Sequence, residues 1–160
     1  GPGSYTGLRI GVSTAKGLCY ALEKPLISIN TLFSMSEGIR KTKDLFCPMI
    51  DARRMEVYCA IYDQEGREVK STCAEIIDEN SFADLLSGNK IYFFGDGAEK
   101  CKAALSKHPN SVFIKNIFPS AKNMIETAEQ RYKQKQFEDV AYFEPYYLKE
   151  FIAGKKKGSE

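Results

Sequence analysis

Residues Tyr5 to Leu22 read as one helix carrying small or apolar residues on two opposite sides, and such a helix restricts the fold more than any other stretch of this chain. On a 3.6-residue turn, Leu8, Val12, Ala15, Cys19 and Leu22 share one face, an ordinary core stripe. Ile10, Thr14, Gly17 and Ala21 lie on the opposite side, and Arg9, Lys16 and Tyr20 mark the strip between. A helix with two apolar sides is buried between two layers, or it packs on its own domain and offers the other side to a partner. The pattern alone leaves both readings open. The loop that feeds the helix, Gly1-Pro2-Gly3-Ser4, is glycine-rich. Loops of that kind can hold an anion on free backbone N–H groups and the helix dipole. This one lacks the GK[ST] ending of a phosphate-binding loop and the GxGxxG of a dinucleotide site. The recurring small residues therefore point to the close approach of another helix.

Downstream, Pro25 to Ile29 predicts a short buried strand, and Thr31 an N-cap for a helix running to Arg40. Leu32, Phe33, Met35, Ser36 and Ile39 give that helix its inner side. Phe46–Ile50, Met55–Tyr62 and Glu68–Ile76 alternate as strands, with turns at Asp51-Ala52-Arg53-Arg54 and Asp63–Gly66, and make an antiparallel meander. A short helix over Ser81–Leu86, a strand over Lys90–Phe94, a helix led by Gly95-Asp96-Gly97 and a brief strand at Val112–Ile114 follow. Ala98, Cys101, Ala104 and Leu105 are expected inward on the third of these. Ser120 caps a last helix whose Met124, Ile125, Ala128 and Tyr132 recur at helical spacing. This order of elements is α/β or α+β.

Of the 160 residues, 43% are hydrophobic and 28% charged, the balance of a globular domain large enough to bury a core. No apolar run reaches the length of a membrane span, and no leader for secretion is seen. Cys19, Cys47, Cys59, Cys73 and Cys101 are odd in number and include no CxxC pair, which reads as reduced thiols of a cytoplasmic protein. A net charge of +2 does not indicate a general nucleic-acid-binding surface. Lys155-Lys156-Lys157 reads as a solubilising tail, the blander reading of a charge run, with contact to nucleic-acid phosphates as the other.

The stretch GPGSYTGLRIGVSTAKGL closely resembles the signature of the TsaB (YeaZ) family, with Tyr5 where the family more often has Phe. The likeness continues in Pro48-Met49-Ile50-Asp51-Ala52-Arg53-Arg54, in Glu56-Val57-Tyr58, in Gly95-Asp96-Gly97-Ala98, in Pro119-Ser120-Ala121 and in Glu144-Pro145-Tyr146-Tyr147-Leu148. It covers nearly the whole chain. The resemblance implies an α/β fold of two actin-like (ASKHA, ribonuclease H-like) lobes, each opening with a three-strand meander. Residues 1–42 would then be the remainder of an incomplete first lobe, 43–150 the second lobe, and 151–160 a basic tail. An incomplete first lobe would leave the Leu8/Val12/Ala15 stripe and the Leu26–Ile29 edge open to self-association.

In actin-like ATPases, tight glycine turns grip phosphate with bare backbone. The corresponding turn here, Asp51 to Arg54, has no glycine. Arg53 and Arg54 could pair with phosphates, and otherwise form a plain charged hairpin turn. Gly95-Asp96-Gly97 stands where a nucleotide loop would, although a carboxylate repels phosphate, and Asp96 also suits an N-cap. Asp51, Arg53, Arg54, Gly95 and Gly97 are thus the candidate weak nucleotide site. His108 is the single histidine, so the paired-histidine metal motif of catalytic relatives is absent, as is a triad base. No catalytic or metal-ligating residue is assigned.

The resemblance implies a non-catalytic assembly subunit of the machinery that makes threonylcarbamoyladenosine at position 37 of tRNA. It would bind a TsaD-like catalytic subunit and a TsaE-like ATPase, meet tRNA only indirectly, form a homodimer in isolation and stay off membranes. Ile10, Thr14, Gly17 and Ala21 are the expected interface, with ATP or ADP held at most where the partner completes a site. The alternative is an independent actin-like ATPase or small-molecule kinase with a degenerate site; nucleotide affinity of the isolated chain separates the two.

Overall fold

The computed structural model describes residues 1–149. Its centre is the expected meander. Strands β1 (Leu45–Asp51), β2 (Glu56–Tyr62) and β3 (Glu68–Ile76) pair antiparallel, and β4 (Ile91–Phe94) and β5 (Ser111–Phe113) extend the sheet parallel to β1. The strand order is β3-β2-β1-β4-β5. The strands alternate, so odd-numbered residues of β1 and β2 enter one core and even-numbered residues the other. Leu45, Cys47, Met49, Val57, Cys59 and Ile61 face helices α3 (Ala83–Gly88) and α4 (Ala98–Leu105). Phe46, Ala60, Tyr62 and Phe94 face helix α2 (Thr31–Glu37) through Leu32 and Met35, both fully buried.

Helix α1 (Tyr5–Ala21) differs from the others in having no buried residue. Ser4 caps it, its side chain accepting from the Gly7 N–H at 3.0 Å. Leu8, Val12, Ala15 and Cys19 are half-buried, as the stripe predicts, but Leu22 lies past the helix end and is 62% exposed. The helix rests on irregular chain rather than on the sheet. Lys16 Nζ donates to the carbonyls of Ala141 at 3.1 Å and Phe143 at 2.9 Å, and Tyr5 stacks on Tyr147 with centroids 4.9 Å apart.

Four local expectations are corrected. Pro25–Ile29 is not a strand: only Leu26 bridges, antiparallel, to Glu138, and among the described residues no second strand lies alongside to complete a ladder. The carbonyl of Ser28 is instead taken by the Arg131 guanidinium, and its hydroxyl by the Glu138 carboxylate. Asn30, not Thr31, caps α2, accepting from Leu32 N–H at 2.8 Å and Phe33 N–H at 3.3 Å, and the helix stops at Glu37. Helix α3 starts at Ala83 because Ser81 is engaged with Asp78, whose N–H donates to the Ser81 hydroxyl at 2.9 Å. Ser120 caps a 3-10 turn (Ala121–Met124) that passes into α5 (Ile125–Lys133), where Thr127 is buried while Ile125 and Tyr132 are exposed. Of the expected set, Met124 and Ala128 are half-buried on either side of Thr127, and Ile125 and Tyr132 face outward.

Candidate functional site

The turn between β1 and β2 and the loop between β4 and α4 meet at one end of the sheet, because parallel pairing of β1 with β4 puts both C-terminal ends side by side. There the Asp51 N–H donates to Asp96 Oδ1 at 3.1 Å. Asp96 therefore ties two loops together and is not the N-cap of α4; that position falls to Gly97, which makes no side-chain cap bond. The Asp51 carboxylate accepts from the Arg53 N–H at 2.7 Å and pairs with Lys100 of α4. Lys100 also donates to the Glu56 carbonyl at 2.7 Å, closing the hairpin from outside. The Lys100 hydrogen bond first, and the Arg53 N–H second, hold the Asp51 carboxyl below its usual pKa.

The glycines of this loop are explained by the protein itself. Gly95 has φ +102°, and a Cβ there would stand 2.2 Å from the Met49 carbonyl oxygen. A Cβ on Gly97 would stand 2.9 Å from the Ile50 carbonyl carbon and 3.1 Å from the Asp51 nitrogen. The loop lies flat on the end of β1, and Gly97 N–H is spent on the Met49 carbonyl at 3.1 Å. Gly95 and Asp96 border an open cavity of about 290 Å³ whose wall also carries Glu99, Lys115 and Phe118. Two carboxylates face one lysine there, a poor balance for phosphate. Arg53 and Arg54 are exposed, with φ of +73° and +48°, and are not among the residues lining that cavity. Of the five candidate nucleotide residues, the fold thus brings Asp51, Gly95 and Gly97 together and leaves the two arginines on the turn's outer side.

The candidate interface is a continuous open strip. Ile10 is 64% exposed, and Thr14, Gly17 and Ala21 are exposed beside it, with Leu18 and Tyr20 flanking. A Cβ built on Gly11 or Gly17 meets nothing within 4 Å. Glycine inside a helix costs about 1 kcal/mol relative to alanine, and no close approach among the described residues offsets that cost at either position.

His108 lies after α4, with Nε2 3.0 Å from the Glu79 carbonyl oxygen, remote from the Asp51–Asp96 contact. Among the described residues, one group brings three metal-competent donors together: Cys59, Cys73 and Glu75. A search for CxxC or paired histidines misses it because Cys59 and Cys73 are far apart in sequence; their equal distance from the Gly66 turn was the available signal. The Cys59 thiol is pushed up in pKa, first by its hydrogen bond with Cys47, and the Cys73 thiol first by its hydrogen bond with Cys59 and then by burial. No helix among the described residues is long and apolar enough to cross a membrane. The tail Lys155–Lys157 lies outside the described residues.

The family model for TsaD, tRNA N6-adenosine threonylcarbamoyltransferase, matches residues 1–156. The tRNA threonylcarbamoyladenosine biosynthesis protein TsaB of Escherichia coli is 32% identical, the match spanning 98% of this chain and 71% of that protein. The TsaB protein of Haemophilus influenzae is 30% identical over 98% of this chain and 70% of its own length. Two solved structures share the fold. A Pseudomonas aeruginosa protein described as similar to peptidase YEAZ superposes with a TM-score of 0.75 at 22% identity, covering 93% of this chain and 70% of that one. YeaZ from the same organism does so with a TM-score of 0.71 at 23% identity, covering 92% and 71%. The sheet is therefore that of an actin-like lobe, and the chain belongs to the TsaB (YeaZ) family.

Proposed function

We propose that this chain is a non-catalytic subunit of the machinery that forms threonylcarbamoyladenosine at position 37 of tRNA, docking on a TsaD-type catalytic subunit through the outer face of α1. Residues 1–42 and 43–150 act as its two units, the first presenting α1 and joined to the second through α2, which packs on the sheet, and through the Lys16 contacts with Ala141 and Phe143. The carrying observation is α1 itself: 17 residues, none buried, with two interior glycines that face open space. Small residues let two helix backbones approach closely, so the interface gains van der Waals contact where a larger side chain would hold the helices apart. Ile10, Thr14, Gly17 and Ala21 form its centre, and Leu18 and Tyr20 its margin.

Without the catalytic subunit the same face pairs with a second copy of the chain. A TsaE-type ATPase joins the assembly, and tRNA is met through the partner rather than by this chain, whose net charge is +2. The assembly is cytoplasmic, in keeping with five unpaired cysteines. Any ATP or ADP sits weakly at the Asp51–Gly95 end, completed by a partner. Support for a non-catalytic role comes from the Gly95 and Gly97 positions, whose lack of a Cβ serves packing on β1.

The test is binding of the chain to a bacterial TsaD-type subunit by calorimetry, with light scattering for self-association. Gly17→Leu should lower both affinities at least tenfold without lowering the melting temperature, since the side chain enters open space on a helix. Unchanged affinity in the variant moves the interface elsewhere; no binding by the unaltered chain removes the partner.

A further inference from the structure

The hairpin of β2 and β3 sets Cys59 directly opposite Cys73, and Glu75 follows two residues on, on the same face of β3. The two Sγ atoms and a Glu75 carboxylate oxygen all lie within 4.8 Å of one another. Cys73 Sγ is 3.5 Å from Glu75 Oε2. In a tetrahedral zinc site the sulfur–oxygen edge is about 3.6 Å and the sulfur–sulfur edge about 3.8 Å, given the usual bond lengths. The Cys73–Glu75 pair is already spaced as one edge of such a site, and Cys59 Sγ lies within 4.8 Å of both donors.

We propose that Cys59, Cys73 and Glu75 bind one thiophilic divalent cation of the zinc class, clipping the edge strand β3 to β2. Charge supports this. Two thiolates and a carboxylate bring three negative charges; the cation supplies two positive ones, and Lys70 Nζ, 2.6 Å from Glu75 Oε2, supplies the third. Thiolate ligands select zinc-like cations over magnesium or calcium. Binding releases the two thiol protons to solvent, and three protein ligands leave one position for water. Access is from the outer side: β3 is the last strand of the sheet, Cys73 and Glu75 are half-buried, and only Cys59 is fully buried. Cys47 lies next to Cys59 on β1, behind the three ligands, and makes the pocket sulfur-rich on its inner side.

The test titrates the full chain, reduced with a phosphine, with Co²⁺ as the probe. A sulfur-to-cobalt charge-transfer band should rise to one equivalent and be displaced by Zn²⁺. Cys73→Ser should abolish the band. Glu75→Gln, which keeps both thiols, should weaken binding at least tenfold. Cys19→Ser and Cys101→Ser should bind as the unaltered chain does, and circular dichroism checks that each variant is folded. Absence of the band in the reduced chain overturns the proposal, as does a band that survives in Cys73→Ser. A Cys59–Cys73 disulfide in air, without cobalt binding after reduction, would make the pair a redox couple and not a metal site.

Discussion

Asp51 and Asp96 are joined by a single hydrogen bond, the Asp51 N–H donating to the Asp96 carboxylate at 3.1 Å across two loops from different parts of the sheet. Asp96→Ala removes the acceptor. An exposed bond of this kind contributes about 1 kcal/mol, so a small drop in the urea midpoint is expected. The sharper readout is hydrogen exchange: the Asp51 amide should lose its protection while amides in β4 keep theirs.

Two glycine-to-alanine changes should act in opposite directions. Gly95→Ala forces a Cβ onto the Met49 carbonyl in a left-handed backbone, and should cost about 2–4 kcal/mol. Gly11→Ala places a methyl in open space on a helix, and should raise the melting temperature of the isolated chain by about 2–4 °C. Calorimetric melts of both variants decide the point, and similar shifts in both would mean that α1 is not helical or that the loop can move.

Removing the amine in Lys100→Met should raise the Asp51 pKa, since that hydrogen bond is the largest cause of its depression. The folded-state value lies below the unfolded one. The Lys100 contact therefore adds stability above about pH 4, the ordinary carboxylate range, and this contribution is lost as the pH falls through the depressed value. The variant should lose that acid-side component of its pH–stability curve. Carboxyl-carbon NMR titration reads the pKa directly; an unmoved Asp51 value contradicts the ion pair.

Isolated chain should show no ATP turnover and no peptidase activity. The turn at Asp51–Arg54 is closed by its own hydrogen bonds, and the glycines beside it pack on β1. Phosphate release that disappears in Asp51→Ala or Arg53→Ala would place the actin-like enzyme reading ahead of the subunit reading.

Much of the architecture was legible in the residues. Three strand-forming runs between Phe46 and Ile76, parted by the turns at Asp51–Arg54 and Asp63–Gly66, predict the meander, and Glu68–Ile76 is observed as read. The half-buried stripe Leu8/Val12/Ala15/Cys19 and the exposed Ile10/Thr14/Gly17/Ala21 strip follow from a period of 3.6. These are local properties, set by backbone geometry and the spacing of apolar side chains, and a sequence carries them directly. Contacts between distant segments are a different matter. Nothing in Pro25–Ile29 tells that its one ladder partner is Glu138. Asp96 is suited to a cap by type, and only the side-by-side strand ends of β1 and β4 turn it toward Asp51. Cys59 and Cys73 stand equally far from the Gly66 turn, and only the hairpin register formed on folding makes them neighbours. The sequence by itself determined the meander, the long first helix and which side of each is apolar. Tertiary structure alone decided which polar groups meet, because a hydrogen bond or a ligand set depends on distances of a few ångströms between segments whose placement is fixed only once both sheet faces are packed.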